Sequence, residues 1–271
     1  MTEILIFGPG YTAGRLGKRL ESRGWTVTAV TRSGRDGTLG FADQDAVHAA
    51  IRSASHILSS VPPDPALPVP FDPVMASFGQ AIAMAPARWI GYLSATGVYG
   101  DTGGAWVDET APIGGGRRVE RAAADAAWQA LRGNIRIFRL PGIYGPGRSA
   151  LDRVTTGRAQ RIDLPDQVFS RVHVDDIGSA VIASLSSDAA GVFNIADDLP
   201  ASQNAVVAHA CALLGLPLPP LQSLEDAKLG PMARDFYSEN RRIANGRAKR
   251  LLGWEPAYPD YRAGLNAILQ G

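Results

Sequence analysis

Cysteine is all but missing. Cys211 is the only one in 271 residues, which excludes an internal disulfide and any Cys-rich zinc site and suits a reducing compartment. An excess of charge of one sign is missing too: Lys and Arg number 27, Asp and Glu 26, for a net charge of +1. A surface that neutralises nucleic-acid phosphates or an anionic membrane needs a strong positive field, so neither partner is expected. Long apolar runs are absent as well. Met1-Thr2-Glu3 leads straight into Ile4-Leu5-Ile6-Phe7 without a basic leader. Segment 81–98 is interrupted by Pro86, Arg88 and Ser94, short of the roughly 20 apolar residues of a membrane span. The chain carries no internal repeat and no low-complexity tract. A soluble chain of the cytoplasm is expected.

What is present is globular: 45% hydrophobic and 20% charged residues. Short apolar runs at 4–7, 26–31, 57–60, 89–93, 135–140 and 192–195 are rich in Ile, Val and Leu on both parities, as strands covered on both faces must be. Helical patterns fall between them at 13–23, 43–53, 72–85, 119–131 and 174–185, the first closed by Gly24. Strands joined by helix-length crossovers predict an α/β fold, a doubly wound parallel sheet with helices on both faces. The pattern loosens after Gly145: 145–170 reads as loop, and prolines break up the stretch after Pro200. Two layers of organisation follow, a nucleotide-binding domain over 1–145 plus 171–196 and a smaller substrate lobe from 146–170 plus 197–271. The Pro-rich 62–73 reads as a rigid surface connection.

The opening strand runs into Gly8-Pro9-Gly10-Tyr11-Thr12-Ala13-Gly14. Gly8, Gly10 and Ala13 match G-x-G-x-x-G/A in a strand–turn–helix setting. Gly8 allows the sharp turn, Gly10 lets a pyrophosphate approach the backbone, and the helix start offers it free N–H groups. Tyr11 and Thr12 lie in that turn, and Val61 follows the strand at 57–60. All three are expected cofactor contacts. The second strand ends in Thr31-Arg32-Ser33-Gly34-Arg35 and has no carboxylate for a ribose 2′-hydroxyl. Arg32, Ser33 and Arg35 suit a 2′-phosphate instead, where each charge-assisted hydrogen bond is worth about 1.5–3 kcal/mol. NADP is therefore expected over NAD.

Four further segments carry a family resemblance. Tyr92-Leu93-Ser94-Ala95-Thr96-Gly97-Val98-Tyr99-Gly100 resembles the "SSxxVYG" strand end of extended short-chain dehydrogenases/reductases. Phe138-Arg139-Leu140-Pro141-Gly142-Ile143-Tyr144-Gly145-Pro146-Gly147 resembles their "LRxxxIYGPG" segment. Arg171 to Ile177 resembles their "hVdD" segment and Leu252-Gly253-Trp254-Glu255-Pro256 their "LGWxP". Order and spacing agree along essentially the whole chain, which is similar to the nucleotide-sugar epimerase/dehydratase superfamily in a short, atypical form. The resemblance implies a Rossmann sheet with a C-terminal substrate lobe, a nicotinamide cofactor beside Pro141 and Ile143, and a small-molecule substrate such as a nucleotide sugar or another anionic metabolite. It implies no metal.

The family's chemistry uses a Ser or Thr with a Tyr–x–x–x–Lys pair, whose phenol moves a proton as hydride moves. Here the Ser/Thr position falls on Ala95, between Ser94 and Thr96, and Gly114-Gly115-Gly116-Arg117-Arg118 stands where the Tyr–Lys helix should begin. Arg118 is a candidate replacement for the Lys, yet arginine stays protonated and relays no proton. Ser94, Thr96, Tyr99 and Tyr144 are the remaining catalytic candidates, the two tyrosines as displaced acids. Arg171, Arg241, Arg242 and Arg247 are candidates to hold an anionic substrate. His173 and the carboxylates after it read as a helix start more than as catalysts. Trp128, Phe78 and Met84 are a possible homodimer surface, with core packing as the competing account. Two functions stay open: an NADP-dependent oxidoreductase or epimerase-like enzyme, and a non-catalytic NADP(H)-binding redox sensor.

Overall fold

The computed structural model describes residues 2–230, 234 and 237–271. Seven parallel strands form the main sheet: β1 (Glu3–Phe7), β2 (Thr26–Thr31), β3 (Leu39–Gly40), β4 (His56–Ser59), β5 (Trp89–Ala95), β7 (Ile135–Leu140) and β11 (Gly191–Asn194); the short strands β6 (Trp106–Val107), β8 (Gly142–Tyr144), β9 (Arg161–Ile162) and β10 (Arg171–His173) lie outside it. Their order across the sheet is β11-β7-β5-β4-β1-β2-β3. The chain starts in the middle, winds out through β2 and β3, then returns past β1 to β4 and continues the other way. The reversal lies between β1 and β4, and at such a point the loops at the strands' carboxyl ends part to leave a crevice.

The expected strands and helices are present, with ends shifted by a residue or two in most. Helices α1 (Tyr11–Glu21), α2 (Gln44–Ser53), α3 (Pro73–Met84), α4 (Val119–Leu131) and α6 (Val174–Leu185) are the crossovers. The central strands β1, β4, β5 and β7 are buried on both faces and show no polar alternation, whereas β2 alternates Thr with apolar residues and is only partly buried. Ile4 and Ile6 point into one core with Leu16, Leu20, Ile177 and Val181. Leu5 and Phe7 point into the other with Val47, Ile51, Phe78 and Trp128.

Segment 145–170, expected as loop, contains α5 (Ala150–Thr155), held by a reciprocal cap between Ser149 and Asp152. A third apolar cluster joins Tyr144, Leu151, Val206, Tyr261 and Leu265, bringing together α5, α7 (Gln203–Leu214) and the helix Tyr261–Gln270. Cys211 is buried with Ala159 and Val207. Trp128 and Phe78 do not form a surface. Trp128 donates to Asp72 at 2.9 Å and stacks on Tyr92 at 5.2 Å, so of the expected dimer face only Met84 is exposed. Among the described residues no helix is long and apolar enough to cross a membrane.

Candidate functional site

The turn after β1 has the geometry of an anion cradle. Gly8 has φ +75°, which favours glycine, and a Cβ there would crowd Val61 Cγ2 at 3.0 Å. A Cβ at Gly10 would meet nothing closer than 4.0 Å, which leaves open space above the backbone. Gly10 is the N-cap of α1 and supplies no side-chain cap, so the first-turn N–H groups are left for a ligand. Tyr11 closes one side: its hydroxyl donates to Pro146 O at 3.0 Å. Arg32, Ser33 and Arg35 are exposed on the loop after β2. Arg35 lies 3.9 Å from Asp36, whereas Arg32 has no hydrogen bond or ion pair among the described residues. These groups fit a dinucleotide diphosphate and a 2′-phosphate.

Next to this turn, at the carboxyl ends of β5 and β7, opens a cleft of about 530 Å³. Thr12, Ser94, Thr96, Pro141 and Ile143 line it, together with Arg117, Arg118, Arg121, Arg148 and Arg241. Tyr99 and Tyr144 do not. The Tyr99 hydroxyl donates to Asn194 Oδ1 at 2.7 Å and accepts from Arg139 at 2.9 Å, and burial raises its pKa against the opposing Arg139 charge. Tyr144 donates to Asp260 O at 3.4 Å, packs against Gly264 and edges onto His173. Burial pushes its pKa far up as well. The expectation of a displaced tyrosine acid is thereby corrected: both phenols are fixed inside the protein.

Ser94 reaches the cleft wall, but its hydroxyl donates to Asp125 at 2.5 Å. Asp125 and Arg139, both buried, form a two-point pair at 2.8 and 3.1 Å, so the Arg of the "LRxxxIYGPG" segment holds β7 to α4. The Thr96 hydroxyl is different, since it has no hydrogen bond among the described residues, and Thr96 lines the cleft. It begins the 3-10 turn Thr96–Tyr99.

Around Gly114–Gly116 main chain packs against main chain. A Cβ on Gly116 would lie 2.6 Å from Gly97 O, and one on Gly100 would lie 2.6 Å from Gly115 C. The two segments touch main chain to main chain, which excludes any side chain between them. Arg118 is exposed at the N-cap of α4. Arg117 and Arg121 keep the spacing of four that the Tyr–Lys pair has, and both line the cleft. Sequence reasoning missed Arg121, although that spacing was the available signal. It also placed the anion-holding arginines differently. Arg171 is spent on Phe169 O, Ala201 O and Gln203, Arg242 on Gly104 O, and Arg247 lies over the Phe193 ring. Of that group only Arg241 reaches the cleft, where it shares Glu239 with Arg117 at 2.7 and 3.7 Å.

His173 caps α6: its Nδ1 accepts the Asp175 N–H at 3.3 Å, and burial lowers its pKa, so the ring is neutral. Asp176 accepts the N–H groups of Ala257 and Tyr258 at 2.8 and 3.1 Å, and Trp254 donates to Ser179 at 2.9 Å. The "hVdD" and "LGWxP" segments therefore bind each other.

No family model matches the chain. A solved structure of a conserved protein of unknown function from Silicibacter pomeroyi is 40% identical, with 100% of this chain and 99% of that one covered at TM-score 0.87. A human epimerase family protein, solved with NADPH, is 19% identical over 100% of both chains at TM-score 0.78. Other chains of the same fold are solved with NAD. Among curated proteins, a 3-diazoavenalumate denitrifying reductase from a Streptomyces species is 35% identical over 137 residues, 48% of this chain and 45% of the relative. The chain thus matches a little under half the length of that curated relative.

Proposed function

The chain belongs to one family with the Silicibacter pomeroyi protein and has the fold of the extended short-chain dehydrogenases/reductases, and from that premise we propose that it is an NADPH-dependent reductase whose protein part supplies no acid. One observation carries this reading. The cleft beside the glycine turn carries guanidiniums and hydroxyls among its lining, and Glu239, the one carboxylate that lines it among the described residues, is paired with Arg241 and Arg117.

Bound NADPH supplies a hydride from its nicotinamide ring. Gly8, Gly10 and the start of α1 hold the diphosphate, Arg32 with Ser33 and Arg35 the 2′-phosphate, and Val61, Pro141 and Ile143 border the nicotinamide end, with Tyr11 and Thr12 over the turn. Thr96 orients the substrate by hydrogen bond, and the arginines stabilise negative charge without surrendering a proton. Such a site suits an acceptor that needs no proton from the enzyme. Reduction of an arenediazonium cation has this property: hydride bonds to the ring carbon as the C–N bond breaks, its charge cancels that of the cation, and dinitrogen leaves as a neutral molecule; the curated relative is named for a reductase of a diazo compound. The glycine packing at Gly100 and Gly116 also favours a second reading, a NADP(H) sensor without turnover.

NADPH is expected to raise the melting temperature by mass action on the folded state, and no measurable shift at 1 mM would remove the cofactor assignment. Arg32→Ala should weaken NADPH binding roughly tenfold or more and leave NADH nearly unchanged; equal losses would refute the 2′-phosphate contact. Oxidation of NADPH, followed at 340 nm with aryl diazonium salts, ketones and aldehydes, separates the two readings. Turnover near 1 s⁻¹ or faster identifies the enzyme, and none across the panel identifies the sensor.

A further inference from the structure

The five arginines around the cleft are not equivalent. Arg117 and Arg241 share Glu239, and Arg148 is exposed beside the Tyr11 ring. Arg118 and Arg121 have no hydrogen bond or ion pair among the described residues. Arg121 is the less exposed of the two, and its stem runs 4.0 Å from the Cβ position of Gly97. This places it over the turn that carries Thr96, at the end of β5. Burial first, and the Arg118 charge after it, lower its pKa, with Tyr92 and Glu120 opposing; Arg118, three positions earlier in the chain, is exposed. Arg121, half-buried and without a direct hydrogen bond or ion pair among the described residues, has given up hydration that a bound anion would replace.

The size of the cleft narrows the choice of anion. About 530 Å³ lies in the lower half of the range for small-molecule sites, and the nicotinamide end of the cofactor takes a share of it. What is left suits a compact acid better than a second nucleotide. A planar guanidinium fork matches a carboxylate in two-point contact.

We infer that Arg121, with Arg118 beside it, binds the carboxylate of a small organic acid and thereby sets substrate class. The inference rests on the reductase reading only in taking the nicotinamide to occupy the Thr12, Pro141 and Ile143 side of the same cleft. Arg121 is a specificity-determining residue: it anchors one end of the substrate so that the reducible group lies toward Thr96.

The test is calorimetric titration of the NADP⁺-saturated full chain with cinnamate and benzoate, with cinnamamide and benzamide as neutral twins, and with UDP as the competing anion. Cofactor binding is read first on the same sample, so a failed cofactor site is seen as such. Titration of the acids without cofactor then reads the anion site alone. At least one acid should bind roughly tenfold or more tighter than its amide. Arg121→Gln should erase that preference, Arg121→Lys should keep part of it, and Arg52→Gln, on the exposed side of α2, should keep all of it. Melting curves confirm that each variant folds. Equal binding of acid and amide, binding of neither, tighter binding of UDP than of both acids, or a preference that survives Arg121→Gln would each overturn the inference.

Discussion

At the scale of single residues, one atom position decides what this cleft can do. Gly116 and Gly100 bring two stretches of main chain into contact beside it. Adding a side chain there therefore costs packing before it supplies chemistry. Gly116→Ala puts a methyl 2.6 Å from Gly97 O, and relief requires one of the two backbones to move. A loss of about 1–3 kcal/mol is expected, the usual range for overpacking, read as a lower midpoint in urea denaturation. An unchanged midpoint would mean the contact is looser than described. Gly97 lies next to Thr96 and to the Arg121 stem, so the same variant should also weaken binding in the cleft.

At the scale of elements, β5, β7 and α4 are tied by a buried polar chain rather than by apolar contact alone. Ser94, Asp125, Arg139, Tyr99 and Asn194 are linked in that order by hydrogen bonds of 2.5–3.1 Å, with Gln129 donating to Asp125 as a branch. Asp125 and Arg139 are 0% and 2% exposed, so neither can turn to water if the other is lost. Arg139→Met should cost about 3–5 kcal/mol, as breaking a buried pair does, whereas Arg139→Met combined with Asp125→Leu should recover part of it. Guanidinium chloride denaturation of the three proteins measures both effects. A single variant within 1 kcal/mol of the parent would show that the pair is dispensable.

The same elements show what was legible beforehand and what was not. Segments 26–31, 119–131, 135–140 and 174–185 were readable to the residue, because a strand buried on both faces and an amphipathic helix each leave a local periodic mark. β3, only Leu39–Gly40, leaves none, since two residues have no period. The glycine turn was visible because its geometry is local. Tyr99, Tyr144 and Ser94 looked like reactive groups in the sequence and are internal ones in the structure. Their partners Asn194, Asp260 and Asp125 lie 95, 116 and 31 positions away, a distance no local pattern reports. Arg121 was hidden for the opposite reason: arginine in a helix usually faces solvent.

At the scale of the whole molecule, the join between the main sheet and the third apolar cluster contains a buried carboxylate that should govern acid and base stability. Asp197, just past β11, is 2% exposed, and neither carboxylate oxygen has a hydrogen bond. The amides of Leu199 and Arg171 face it without reaching bonding geometry. Burial pushes its pKa up to about 8, with the nearby Arg171 charge opposing. An unfolded Asp titrates near about 3.9. Between those two values the folded chain holds a proton that the unfolded chain has released, so stability falls as pH rises through that window and levels above it. Asp197→Asn should flatten the decline between pH 5 and 8, read from melting temperatures across that range. A decline of unchanged slope would place its origin elsewhere.

All seven strands of the main sheet are complete by Asn194, whereas the cleft takes Glu239, Arg241 and Ile243 from much later in the chain. During synthesis on the ribosome the nucleotide cradle can therefore assemble well before the wall opposite it exists. A nascent chain arrested soon after Asn194 has all seven of the main-sheet strands and only part of the pocket, so the order of translation itself delays competence for the second ligand until the last stretch emerges.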